Sequence, residues 1–133
     1  MFEEFELQYQ KPLMTRCGLS YYGCCEPLDA FLTRLTAIPN MRKLGVSPWS
    51  DVNACAEIIG GKYVAAVKPN PAFVSGRCDT ESVKKETETI AKACIRYGCP
   101  YEMVLKDIST VSYKPDNLIK WADTVKRVLD VYY

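Results

Sequence analysis

The chain has 133 residues, with 17 basic and 16 acidic side chains and a formal charge of +1. That balance excludes a long-range field for gathering nucleic acid or an anionic membrane surface, and no run of about 18 apolar residues offers a transmembrane helix. Histidine is absent, which removes the commonest general base and the commonest zinc ligand from the chain's own chemistry.

In chain order, Phe2, Phe5, Tyr9 and Leu13 recur at spacings of three and four. They predict an amphipathic helix over residues 2–14, which Pro12 bends or ends a turn early. Residues 19–23 read as the first strand. Pro27 stands where a helix would start, with Leu28, Phe31, Leu32 and Leu35 as its buried stripe, and Ile38-Pro39-Asn40 breaks it. Residues 43–47 form the second strand. Ser50 or Asp51 then caps a helix with Val52, Cys55, Ala56 and Ile59 inward, closed by Gly60-Gly61. Residues 63–67 are a β-branched and aromatic run suited to a buried third strand, and Pro69 and Pro71 predict a stiff, extended segment after it. Asp79 or Thr80 caps a long helix over residues 81–97. Its core stripe is Val83, Thr87, Ile90, Ala91 and Cys94, with Ile95 at the margin, and Gly98 is its stop. Residues 102–106 are the fourth strand. Pro115 opens a last helix that buries Leu118, Trp121, Ala122, Val125, Val128 and Leu129.

Strict alternation of strand and helix predicts a parallel sheet with right-handed crossovers. The expected fold is α/β, one domain over residues 1–133: a parallel-stranded (β/α) half-barrel, four βα units of a TIM (β/α)8 barrel, preceded by a helix. Four strands leave two unpaired edges that need a partner. Each strand runs into a tight polar cluster: Tyr21-Tyr22-Gly23-Cys24-Cys25-Glu26, then Ser47-Pro48-Trp49-Ser50-Asp51, Lys68-Pro69-Asn70-Pro71, and Lys106-Asp107-Ile108-Ser109-Thr110. Parallel strands bring such clusters to one rim, where α/β enzymes keep their chemistry.

These clusters, in order, resemble the uroporphyrinogen decarboxylase-like superfamily, near its corrinoid-dependent methyltransferases. The strings are Tyr22-Gly23-Cys24-Cys25-Glu26-Pro27-Leu28, Val46-Ser47-Pro48-Trp49-Ser50-Asp51, Lys68-Pro69-Asn70-Pro71-Ala72 and Leu105-Lys106-Asp107-Ile108-Ser109-Thr110, with Pro115-Asp116-Asn117 opening the last helix. The resemblance covers only the carboxyl-terminal half of the family's barrel. It implies methyl transfer or decarboxylation on an acidic ligand at the strand ends. Decarboxylases of the family work without metal. The methyltransferases hold zinc with a His-x-Cys pair and a further Cys, and take a methyl group from a corrinoid carried by a partner protein. Here the pair position reads Tyr22-Gly23-Cys24 and the later position Lys106-Asp107, so Cys24 alone carries over as a zinc ligand.

The catalytic candidates are Cys24, Cys25, Glu26, Asp51 and Asp107, as thiolate nucleophile or ligand and as carboxyl acid or base. Cys24 and Cys25 are adjacent, so an extended chain points them to opposite sides, and both also suit the role of small buried hydrophobes. Asp51 equally reads as a helix cap. Tyr22, Trp49, Lys68, Asn70 and Lys106 are the candidate ligand-lining residues, the two lysines for carboxylate or phosphate. The alternatives are packing for Trp49, ion pairs for the lysines and a turn for Asn70. Seven cysteines at irregular spacing give no disulfide framework. With an acidic start that lacks the basic and apolar regions of a signal peptide, they predict reduced thiols in the cytoplasm. The competing reading is a catalytically inert half-barrel that binds a ligand or completes a barrel with a second chain. That chain is a second copy or a missing amino-terminal half.

Overall fold

The computed structural model describes residues 2–106 and 108–133. Strands β1 (Ser20–Tyr22), β2 (Met41–Val46), β3 (Val64–Val67) and β4 (Tyr101–Met103) form one sheet in the order β1-β2-β3-β4, and every neighbouring pair is parallel. The connections carry α2 (Leu32–Thr36), then α3 (Val52–Ile59), then α4 (Ala72–Ser75) followed by α5 (Thr80–Arg96). A π-helical turn, Glu3–Leu7, and α1 (Gln8–Met14) precede β1, and α6 (Asp116–Leu129) follows β4. This is an α/β fold whose consecutive parallel βα units have the form of half a (β/α)8 barrel. No helix among the described residues is long and apolar enough to cross a membrane.

The register decides which side chains share a face. Tyr22 lies opposite Leu44, Leu44 opposite Ala65, and Ala65 opposite Tyr101. These four, with Val46, Val67 and Met103 one pleat further on, pack into the core with Leu32, Leu35, Cys55, Ile59, Ile90 and Cys94 from the helices. Removing each buried Leu or Ile from water contributes roughly 1.5–3 kcal/mol. The alternate strand residues, Tyr21, Lys43, Gly45, Val64, Ala66 and Glu102, make the opposite face, and none of them belongs to that core.

Local chemistry explains the helix ends. Asp51 Oδ1 accepts the backbone N–H groups of Asn53 (2.9 Å) and Ala54 (3.2 Å), which fixes the start of α3. Asp79 accepts the backbone N–H of Ser82 (3.1 Å) and its hydroxyl (2.7 Å) at the start of α5. Gly98, at φ 60°, turns the chain out of α5 so that the N–H of Cys99 reaches the carbonyl of Cys94 at 2.8 Å.

Several expectations need correction. Pro12 does not end the first helix, and Phe5, Tyr9 and Leu13 are exposed; Phe2, Leu7 and Met14 pack inward instead, with the Phe2 ring stacked 4.4 Å from Phe31. Pro27 opens no helix: α2 is a short stretch, although Leu28, Leu32 and Leu35 are buried as expected. The segment after β3 is not extended throughout. Asn70 Oδ1 accepts the N–H of Ala72 (3.0 Å), and Pro71, with its fixed φ, starts α4. β4 ends at Met103, because its neighbour β3 ends at Val67 in register with it; one further bond, Val104 N–H to the Val67 carbonyl, closes the ladder. In α5, Ala93 is buried and Ile95 exposed. In α6 only Val125 and Val128 of the expected stripe are fully buried, while Leu118 and Ala122 face outward. This helix packs along α5 and, less extensively, α4.

Candidate functional site at the strand ends

The site begins with a glycine. A Cβ on Gly45 would lie 3.2 Å from Gly23 Cα and 3.3 Å from the Cys24 nitrogen. Gly45 sits on the sheet face away from the core, so the chain leaving β1 folds back across that face against β2. Lys68, the first residue past β3, then donates from Nζ to the Cys24 carbonyl at 2.7 Å. The backbone at Cys24 is therefore held between the ends of β2 and β3.

Ser47 occupies the matching position past β2. It is buried, its Oγ lies 3.1 Å from Ser50 Oγ, and it accepts the N–H of Trp49 at 3.3 Å. Ser47, Ser50 and Lys68 line a cavity of about 220 Å³ together with Glu86 and Thr89 of α5. Glu86 Oε1 accepts the backbone N–H of Asn70 at 2.9 Å. Burial pushes the Glu86 carboxyl above the ordinary carboxylate range, and the Asn70 N–H opposes that shift. A groove of about 390 Å³ between α5 and α6 is larger, but α5, α6 and the two residues Val131 and Tyr132 past α6 wall it, without a strand end.

Of the residues singled out in the sequence, Lys68 reaches this cavity, and Ser47 and Ser50 come with it. Asn70 is half-buried and works as a turn residue through both its side chain and its N–H. Cys24 is half-buried, and its Sγ accepts the N–H of Glu26 at 3.4 Å; Cys25 and Glu26 are exposed. The two cysteines thus differ in exposure, as opposite orientations require. Asp51 is exposed and spends one carboxylate oxygen on capping α3. Tyr22 does not reach this cavity: it is buried in the core on the helix side, its hydroxyl donates to Glu6, and it borders a separate groove between α1 and β1. Burial pushes this phenol well above its ordinary range, and the Glu6 carboxylate adds to the effect. Trp49 stands 67% exposed at the loop tip, so it packs under nothing. Lys106 is half-buried beyond β4, and Asp107 lies outside the described residues.

Glu86 carried no signal in the sequence reading. It sits in a run of alternating charge, Lys84-Lys85-Glu86-Thr87-Glu88, that looks like a solvated helix face. Its position one residue before buried Thr87 was the available hint, since the edge of an apolar stripe borders whatever lies on it.

Among the described residues, no group of three or more His, Cys, Asp or Glu side chains is gathered as a metal ion requires. The engaged sulfur of Cys24 and the outward Cys25 and Glu26 do not make up the set, so the donors do not fit zinc. Cys55 is structural: its buried thiol donates to Asp29 Oδ1 at 2.9 Å, and burial first, then this bond, pushes the thiol up. No protein-family model, no curated protein and no solved structure matches the chain.

Proposed function

We propose that the chain is a half-barrel corresponding to the carboxyl-terminal half of a uroporphyrinogen decarboxylase-like barrel, and that its strand-end cavity binds a small acidic ligand. The observation that carries this reading is Lys68, which lines one cavity with Ser47, Ser50 and Thr89 and donates from Nζ to the Cys24 carbonyl at 2.7 Å. A cation flanked by hydroxyl donors suits a carboxylate, and charge-assisted bonds of this type are stronger than neutral ones. A ligand carboxylate takes hydrogen bonds from Lys68, while Val46, Val67 and Ile90 supply the apolar part of the wall.

Between the two chemistries of the resembled family, the donor set favours decarboxylation. Methyl transfer with zinc needs a metal site that these residues do not supply, and a corrinoid partner has no separate support. Loss of carbon dioxide breaks a carbon–carbon bond and leaves an electron pair on carbon, which must take a proton. Glu86 is the proposed proton donor, because burial favours its protonated form and it lines the same cavity. Cys24, Cys25, Glu26 and Asp51 are left out of the chemistry. Free thiols at all seven cysteines suit a reducing compartment such as the cytoplasm.

A second reading, binding without turnover, is favoured by the engagement of Glu86 with the Asn70 N–H and by the absence of histidine. Calorimetric titration with succinate and tricarballylate tests the shared claim. Binding that Lys68→Met weakens at least tenfold supports the site; equal affinity in protein and variant removes it. Carbon dioxide release from a bound polycarboxylate then separates enzyme from binder.

A further inference from the structure

The geometry points to a second copy of this chain as the occupant of both sheet edges, giving an eight-stranded ring of two protomers. The outer edges of β1 and β4 carry no strand partner among the described residues, and each of these strands is three residues long. All four strands run the same way. A twofold axis along the strand direction therefore sets β4 of each protomer beside β1 of its partner, parallel, and satisfies both edges together. A twofold across the strands, pairing β1 with β1, is antiparallel and leaves both β4 edges open. Closure removes every edge, which is the most complete answer to unpaired edge backbone.

The surface composition agrees. Most of the exposed large apolar side chains belong to the segments before β1 or after β4 in the chain rather than to the middle helices. Phe5, Tyr9, Leu13 and Leu19 precede β1; Val104, Leu118, Ile119 and Tyr133 follow β4, and the Tyr133 ring lies 6.4 Å from that of Tyr101 on β4. A groove of about 330 Å³, lined by Leu13, Met14 and Tyr21, runs between α1 and β1.

Sedimentation equilibrium between about 1 and 100 µM, on the full chain, tests the ring. The expected species is a dimer of twice 15.0 kDa. Leu19→Glu and Val104→Lys, one at each margin, each weaken it at least tenfold. An equimolar mixture of the two variants re-forms dimers more readily than either variant alone, because the mixed pair keeps one margin free of substitution. Both positions are exposed, so circular dichroism should read unchanged; Ile119→Lys serves if Val104→Lys lowers the unfolding temperature. A monomer across the range, a dimer that neither substitution affects, or a mixture that stays monomeric would each overturn the ring.

Discussion

Lys43 on β2 and Glu102 on β4 meet at 2.9 Å across the intervening strand, on the sheet face away from the core. The pair spans β3 because the residues beneath it are small: Gly45 lies opposite Ala66, and Ala66 opposite Glu102. Ala66 is fully buried, and the Lys43 ammonium also sits 5.1 Å from the centre of the Tyr21 ring. The charges on this face of the sheet thus neutralise each other. Both partners are about a third or more exposed, so the pair contributes no more than about 1 kcal/mol. Glu102→Gln should lower stability by less than that in low salt and by almost nothing in about 0.5 M salt, read by urea denaturation. Ala66→Leu should cost more, about 1–3 kcal/mol, because it overpacks the strand beneath the pair.

Asp51 is a cap in the structure. Asp51→Ala should therefore destabilise the fold by about 1 kcal/mol and leave carboxylate affinity unchanged. Thermal unfolding and calorimetric titration of the same variant check both halves. A large loss of turnover at unchanged stability would return Asp51 to the chemistry.

Asn117 is buried, and its Nδ2 donates to the carbonyls of Val74 (3.0 Å) and Gly76 (2.9 Å). This one side chain fastens the start of α6 to the end of α4. Asn117→Ala strands two carbonyls and should cost about 2–3 kcal/mol. Hydrogen exchange should quicken in α6 before it changes in β2 and β3.

The raised pKa of Glu86 makes stability depend on pH in a defined direction. A carboxyl with a higher pKa in the folded than in the unfolded state binds its proton more tightly when folded. Its contribution to stability is greatest below the unfolded value, about 4.3, and is lost as pH rises through the folded value. Glu86→Gln removes that dependence while keeping an oxygen to accept the Asn70 N–H. The stability of the wild-type protein relative to this variant should fall as pH rises from about 4.3 through the raised value of the folded state. A flat difference would contradict the burial of this carboxyl.

The sequence disclosed much of the frame, and for physical reasons. Caps such as Asp51 and Asp79 act within three residues, and Gly98 takes a conformation that other residues avoid, so these signals are local. The stripe of Phe5, Tyr9 and Leu13 was legible as apolar, but periodicity says only that a helix has such a face, not that anything covers it. Tyr21 and Tyr22 put the same side chain on both faces of β1, so no pattern could assign Tyr22 to the core; the register with Leu44 does. Glu86 enters the site only because Pro71 turns the chain into α4 and presents the Asn70 N–H to α5, a tertiary event without a local signature.

The most direct test of the strand-end site is a heteronuclear NMR titration of labelled protein with succinate. The expected result is saturable shifts centred on Ser47, Ser50, Lys68 and Glu86, all lost in Lys68→Met. Shifts confined to the groove between α5 and α6, or none at millimolar ligand, would place the function of this chain elsewhere.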